Sequence, residues 1–164
     1  MKRKAKSRSE LTEAEKACGY ETLVHINQVG QLIYELTIHM QKRGLDHDKS
    51  KLIDPEISIF TQHTPKLKSL AFGSEEYKEE LKDMGPAIQN HYAKNRHHPE
   101  HFPNGIDDMN LIDIVEMLAD WKASTLRNKE GNIAKSLELQ RERFKMSDQL
   151  YKILHNTIVA MGWE

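Results

Sequence analysis

Helical spacing of apolar residues runs through nearly the whole chain and leaves little room for any other fold class. The series His25, Val29, Leu32 and Leu36 steps by four, three and four residues, so these side chains share one helix face. No segment alternates apolar and polar residues as a half-buried strand does. Only 5 prolines and 8 glycines interrupt the 164 residues. The sequence therefore predicts an all-α protein, a single helical bundle of about six or seven helices.

Capping and turn signals predict where the helices begin and end. A capping-box pattern at Thr12 and Glu15 starts a long helix to about Arg43, with His25 on the stripe expected to face the core. Later helices are predicted to begin near Pro55, Pro65, Ser74, Pro86, either Asp108 or Asn110, and Asn132. The last of these is predicted to continue unbroken to Met161.

Length and charge fit one domain, predicted to span residues 10–164 after a basic, disordered tail at residues 1–9. The net charge of −1 does not favour nucleic acid as a partner. No apolar run approaches the ~18 residues of a membrane span, and no signal-peptide pattern follows the basic start. The single cysteine fits a reducing compartment, so a cytoplasmic protein is expected. Homo-oligomerisation stays open.

Histidines and carboxylates cluster in three short segments. Five of the 9 histidines lie in residues 45–51 (LDHDKSK) and 91–101 (HYAKNRHHPEH), and residues 113–120 (DIVEMLAD) add carboxylates. Imidazole nitrogens and carboxylate oxygens together are typical ligands of Mn, Fe, Co, Ni or Zn. The pattern predicts a site for a divalent transition metal.

The carboxylates of the third segment form a stripe on a strongly apolar helix. Asp113, Glu116 and Asp120 step by three and four residues, and carboxylates on a buried helix need cations or hydrogen-bond donors. Asp113 and Asp120 lie ~10 Å apart along the helix axis, so one ion cannot readily take both. Asp113 and Glu116 are candidates for orienting the histidines.

The order of these residues resembles the HD superfamily of metal-dependent phosphohydrolases. In that superfamily a lone histidine, a His-Asp pair and a distant aspartate bind a metal within a helical bundle, and some branches add histidines for a second metal. The resemblance implies an HD-like bundle here that binds one or two ions, with metal ligands drawn from His25, His47, Asp48, Asp120, His91 and either His97 or His98.

Two further resemblances are more local. The stretch His47-Asp48-Lys49-Ser50-Lys51 is similar to the His-Asp-x-Gly-Lys stretch of the branch that cleaves cyclic dinucleotides, although Ser50 replaces the glycine. The Gly-Tyr-Pro signature of that branch is absent, which argues against cyclic di-GMP as substrate. The blocks LDHDKSKL, HYAKNRHHPEHF and IVEMLADWKAS resemble an uncharacterised domain family of bacteria and phages with an HD-like pattern.

The function implied is a phosphohydrolase that acts on a nucleotide or related small-molecule phosphate ester. Asp48, Lys51 and Glu56 are the candidate catalytic residues, with Lys51 facing the phosphoryl oxygens. Two other classes stay open: an inactive regulatory module that kept the fold and the metal, and a di-iron oxygenase. Simpler interpretations also remain. His47-Asp48 can cap a helix, His97-His98 can be solvated, and Glu56 suits a helix N-terminus on dipole grounds.

Overall fold

The computed structural model describes Ser7 and residues 10–71, 73–127 and 131–164. The regular structure of these residues is helical, without strands, which confirms the all-α prediction. Apart from Ser7, the predicted basic tail lies outside the described residues. None of the described helices has both the length and the apolarity needed to cross a membrane. The α-helices are α1 (Glu13–Asp46), α2 (Glu56–Ser69), α3 (Glu75–Asp83), α4 (Gly85–Lys94), α5 (Leu111–Thr125), α6 (Ile133–Phe144) and α7 (Asp148–Ala160). Short 3-10 turns lie at Lys49–Leu52, Pro99–His101 and Gly105–Asp108.

The chain divides into two units, and residues 1–41 form the first. Its described part is mainly the N-terminal portion of α1, which starts with the expected capping box. The Thr12 N–H donates to Glu15 Oε2 at 2.8 Å, and the Glu15 N–H donates to Thr12 Oγ1 at 3.2 Å. No residue of α1 is buried, and His25 is exposed. Within this unit no other described helix covers the His25 stripe, so the expectation that the stripe faces the core stays a prediction.

The second unit, residues 42–164, contains the apolar core. One face of α5 packs against α6 and α7, and the Trp121 and Phe144 rings stack with centroids 6.3 Å apart. Trp163 packs against the same cluster. The buried members of this core are Ile114, Met117, Leu118, Trp121, Ile133, Leu137, Met146, Leu154 and Ile158. This packing fixes the rotation of α5 and so decides which residues its other face presents.

Two predicted helix boundaries are wrong. A single helix, α2, runs through Pro65 to Ser69, because its packing against α3 and α4 outweighs the one backbone hydrogen bond that proline removes. The predicted last helix is two helices. Lys145 adopts a left-handed conformation (φ 49°), and the Ser147 hydroxyl accepts a hydrogen bond from the Leu150 N–H, which starts α7.

Candidate metal centre

The three histidine- and carboxylate-rich segments meet within the second unit. Asp48 follows the end of α1 in a left-handed conformation (φ 57°, ψ 13°) and leads into the Lys49–Leu52 turn. His91 lies on α4, and the loop after α4 carries the two neighbouring histidines His97 and His98. The carboxylate stripe of α5 faces this loop, since the opposite side of α5 packs in the core. The fold thus brings together residues that are up to 73 positions apart.

Four side chains direct one ligand atom each toward a common point. Asp48, His91, His97 and His98 offer ligand atoms that all lie within 4.8 Å of one another. His91 Nε2 lies 2.9 Å from His98 Nε2 and 3.3 Å from Asp48 Oδ1, and His97 Nε2 lies 3.6 Å from the same oxygen. Ligand atoms about 2.1 Å from one ion are separated by roughly 3.0–3.4 Å in octahedral or tetrahedral geometry. The spacing therefore suits coordination of a single ion.

Buried atoms without a partner point to the same place. Among the described residues, Asp48 Oδ1 and both ring nitrogens of His97 are buried and make no hydrogen bond. Burying such polar atoms unpaired costs about 1–3 kcal/mol each, so native proteins pair nearly all of them. A metal ion bound between Asp48 Oδ1 and His97 Nε2 would remove the penalty at these two atoms, so the residues present fit a metal.

His47 lies on the other side of Asp48, close to α5. Its Nε2 is 3.5 Å from both Asp48 Oδ2 and Asp120 Oδ1. Its Nδ1 is 3.0 Å from Glu116 Oε1, and His97 Nδ1 is 3.2 Å from that oxygen. His47, His97 and Glu116 thus form a second group close enough to hold a metal. Because Glu116 faces Nδ1 of both rings, it is also placed to orient them, with each Nε2 directed at Asp48.

Two arginines, Arg43 and Arg96, bind the carboxylate of Asp113, the first member of the stripe on α5. Arg43 donates from Nε to Glu116 Oε2 at 2.8 Å and from a terminal nitrogen to Asp113 Oδ1 at 2.6 Å. Arg96 contacts both oxygens of the fully buried Asp113, at 3.2 and 3.0 Å, and the Asn110 N–H also donates to it. Asp113 belongs to neither metal-binding group. Asp120 belongs to neither group either, so the expectation that Asp120 coordinates and Asp113 does not stays a prediction.

Glu56 is fully buried behind His91, with both oxygens engaged. Its Oε2 accepts from Ser50 Oγ at 2.8 Å and lies 2.9 Å from His91 Nδ1, while Oε1 accepts from Asn90 Nδ2 at 2.6 Å. Asn95 Nδ2 donates to Ser50 Oγ at 2.7 Å. These contacts make Glu56 a positioning residue for His91, and its predicted role as a general acid or base stays a prediction.

Sequence reasoning missed several of these supporting residues. Asn90 precedes His91 on α4, Asn95 directly follows the end of α4, and Arg43 ends the predicted first helix, but no motif marks them. One signal was present: Asn95 follows His91 by four residues, a spacing that places both side chains on one helix face. The contact from Ser50 to Glu56 depends on how the turn meets α2, which local patterns do not encode.

Protonation divides the histidines into two kinds. Burial, with the nearby rings of His97 and His91, lowers the pKa of His98 to about 3. Burial and the Lys51 ammonium also lower the pKa of His91. Both rings are therefore neutral near pH 7, as metal ligation requires. In contrast, contacts with Asp120 and Glu116 raise the pKa of His47 to about 10.

The carboxyls at the centre are ionised. Burial alone would raise the pKa of Asp48, but Lys51, His47 and His91 outweigh it and lower this pKa. Burial opposes ionisation of Asp120 as well, but the contact with His47 and the electrostatic interactions with the rings of His97 and His47 lower its pKa below the usual value. The centre therefore presents anionic oxygens beside neutral imidazoles.

Two predicted site residues have distinct placements. Lys51 Nζ lies 2.6 Å from Asp48 Oδ2 and 5.3 Å from the centre of the Phe60 ring, with its side chain 36% exposed. It thus lies at the accessible edge of the centre. His25 is in the first unit and belongs to neither metal-binding group, so its assignment as a ligand stays a prediction.

The fold and the site define an all-helical protein with histidine and carboxylate groups close enough to bind a metal ion. The chain belongs to the family described as "Family of unknown function (DUF5662)", whose model matches residues 14–160. No curated protein and no solved structure matches the chain. The functional proposal therefore depends on the chemistry of the site.

Proposed function

We propose that this protein is a metal-dependent hydrolase that acts on a nucleotide or a related phosphate ester. The observation that carries the proposal is the convergence of Asp48 Oδ1 with one ring nitrogen each of His91, His97 and His98, in part as buried atoms without partners. Three imidazoles and one carboxylate suit Mn, Fe, Co, Ni or Zn. The resemblance of the His47-Asp48 segment to the HD superfamily supports a phosphate ester as substrate.

The side chains at the edge of the centre suit a phosphoryl group. A bound divalent ion would supply Lewis acidity and a water of lowered pKa. Lys51 uses one N–H on Asp48, which leaves two N–H donors and a positive charge for phosphoryl oxygens. This charge stabilises the additional negative charge of the transition state.

His47 and Asp120 provide a place to hold a proton beside the reacting group. Their 3.5 Å contact is partly open to solvent, with the two side chains 26% and 25% exposed. A protonated imidazole between two carboxylates can give its proton to the departing oxygen of an ester. We assign this general-acid role to His47, with Asp120 as its positioning partner.

The proposal is tested by metal content and phosphate release. The purified chain, loaded separately with Mn, Co, Ni, Zn or Mg, is assayed on nucleoside mono- and triphosphates for released inorganic phosphate. His98→Ala should lower both metal affinity and phosphate release at least 10²-fold, because it removes one of four ligands. His101→Ala is the matched control in the same loop, since the His101 ring contacts the Tyr92 carbonyl and belongs to neither metal-binding group.

Each alternative function has its own result. Tight metal binding without phosphate release on any substrate would point to a regulatory module. Copurified iron with an optical absorption band and oxygen consumption would point to an oxygenase. Less than about a tenth of a metal per chain, with no uptake on titration, would remove the basis of the proposal.

A further inference from the structure

The two oxygens of Asp48 face different surroundings. Oδ1 is buried without a hydrogen-bond partner, 3.3 Å from His91 Nε2 and 3.6 Å from His97 Nε2. Oδ2 is 2.6 Å from Lys51 Nζ and 3.5 Å from His47 Nε2. One oxygen thus lacks a cation in its vicinity, and the other is already paired with one.

The surroundings of Oδ2 offer donors for a second divalent ion when the His47 ring is unprotonated. His47 Nε2 lies 3.5 Å from both Asp48 Oδ2 and Asp120 Oδ1, so an imidazole and two carboxylates meet there. Such oxygen-rich donor sets bind Mn²⁺ or Mg²⁺ when nothing else neutralises them. The Lys51 ammonium neutralises this side, and a second ion on Oδ2 would meet its like charge across one shared oxygen.

The backbone and a neighbouring ring hold Lys51 in place. The Lys51 N–H donates to the Asp48 carbonyl at 2.9 Å, which closes the turn that both residues share. The Lys51 ammonium lies 5.3 Å from the centre of the Phe60 ring, within the range of a cation–π contact. Backbone, carboxylate and ring therefore restrict the ammonium to this side of Asp48.

We propose that the centre binds one metal ion, on the Oδ1 side of Asp48 with His91, His97 and His98, and that the Lys51 ammonium fills the second cation position. The inference rests on the proposed metal-binding function and adds the number of ions and their place. The chain carries its second cation as a side chain, so only one metal has to be acquired.

Metal stoichiometry tests the inference. Metal-free full-length protein is titrated with Co²⁺ by calorimetry, and metal per chain is measured after dialysis. The wild type should bind one ion. Lys51→Met, which keeps the length of the side chain but loses its charge, should bind a second, weaker ion. Adding Asp120→Asn to Lys51→Met should return the count to one.

Lys49→Met is the matched control in the same turn. Lys49 pairs with Asp46 at 2.6 Å and contacts no residue of the centre, so this variant should bind one ion. The Mn²⁺ form of the wild type provides a measurement that needs no variant. Its electron paramagnetic resonance spectrum should be that of an isolated ion.

The outcomes separate the two proposals. Two ions in the wild type, or an exchange-coupled Mn²⁺ spectrum, would overturn the single-ion inference and leave the metal-dependent function standing. A folded Lys51→Met variant that still binds one ion would also overturn it. A wild type that binds no metal would overturn both proposals together.

Discussion

Glu116 orients two imidazole rings with one carboxylate oxygen. Oε1 lies 3.0 Å from His47 Nδ1 and 3.2 Å from His97 Nδ1, and Oε2 accepts from Arg43. The charged contacts of Glu116 outweigh its burial and hold its pKa well below the usual range, so it remains anionic. Because each ring turns Nδ1 toward Glu116, each Nε2 faces Asp48.

Glu116→Gln should weaken Co²⁺ binding by about 10–100-fold, the usual effect of removing a residue that orients a metal ligand. The amide keeps the shape of the side chain but loses the negative charge that faces both rings. Competition with a chromophoric chelator measures the affinity. Glu138→Gln, which alters an exposed carboxylate that accepts a hydrogen bond from the Tyr151 hydroxyl, serves as control. Equal affinities of the two variants would argue against the orienting role.

Two histidines of the metal-free centre make the stability of the folded protein depend on pH: His47 should reduce it at high pH, and His98 should reduce it at low pH. His47 has a pKa raised to about 10, so its contribution to stability is complete below the unfolded-state pKa of about 6.5 and is lost as pH rises toward 10. His98 has a pKa lowered to about 3, so its contribution is complete above about 6.5 and is lost as pH falls toward 3. Stability should therefore be greatest near pH 6.5.

Urea denaturation of the metal-free protein between pH 4 and 10 checks this maximum. His47→Gln should flatten the decline above pH 7, and His98→Asn should flatten the decline below pH 6. If the His47→Gln variant loses stability above pH 7 as steeply as the wild type does, another group titrates in that range.

At the scale of elements, α5 joins the core to the metal centre. Its N-terminus is held by a capping box in which Asn110 Oδ1 accepts from the Ile112 and Asp113 N–H groups at 2.9 and 3.0 Å. The carboxylate of Asp113 accepts from the Asn110 N–H and also binds the two arginines. One cap therefore fixes both the start of the helix and its charged face.

Asn110→Ala should lower the free energy of unfolding by about 1 kcal/mol and also weaken Co²⁺ binding, since the first turn of α5 positions Asp113 and through it Arg43 and Glu116. Asn132→Ala is the matched comparison, because Asn132 caps α6 by accepting from Lys135 and α6 carries no predicted ligand. It should lose similar stability and bind Co²⁺ normally. Thermal denaturation and metal titration of both variants test the difference.

Local signals predicted some elements well and failed at others for identifiable reasons. The caps at Thr12 and Asn110 and the break at Gly85-Pro86 were predictable, because they depend on residues within one turn. The continuation of α2 through Pro65 depends on packing against α3 and α4. The separation of α6 from α7 depends on the left-handed conformation of Lys145. Glycine is the residue that usually signals this conformation in a sequence, and this position has a lysine instead.

At the scale of the whole molecule, metal binding should couple residues far apart in the sequence. The four ligand candidates come from residues 48–98, and Glu116 and Asp120 support them from α5. At a free Co²⁺ concentration 100 times the Kd, linkage adds about 2.7 kcal/mol, which corresponds to a rise in Tm of roughly 5–10 °C. Differential scanning calorimetry with and without Co²⁺ measures this rise.

Amide exchange would locate the effect of the metal along the chain. Co²⁺ should slow exchange in residues 47–52, 88–98 and 111–120, and His98→Ala should abolish the slowing. Residues 13–41 should exchange equally with and without Co²⁺ if the ligands all come from the second unit. Slower exchange around His25 would instead support the ligand role that the HD resemblance implies for it.

The candidate centre was largely predictable as a set of residues and poorly predictable as a geometry. Histidine and carboxylate types at His47, Asp48, His91, His97 and His98 carry the chemistry in the sequence itself. Which nitrogen faces which oxygen follows from the rotation of helices and the path of a loop. The exposure of His25 and the burial of Glu56 are tertiary properties of this kind.

The left-handed backbone at Asp48 restricts how this position can vary among relatives. With φ 57° and ψ 13°, it readily admits glycine, asparagine and aspartate, whereas most other residues are strained there. Of these three, only aspartate brings a charged oxygen to the histidines. Mutational drift at this position should therefore lead to asparagine or glycine, which keep the turn while the metal ligand is lost. A single column of a family alignment, at Asp48, would then separate members able to bind metal from members that retain only the fold.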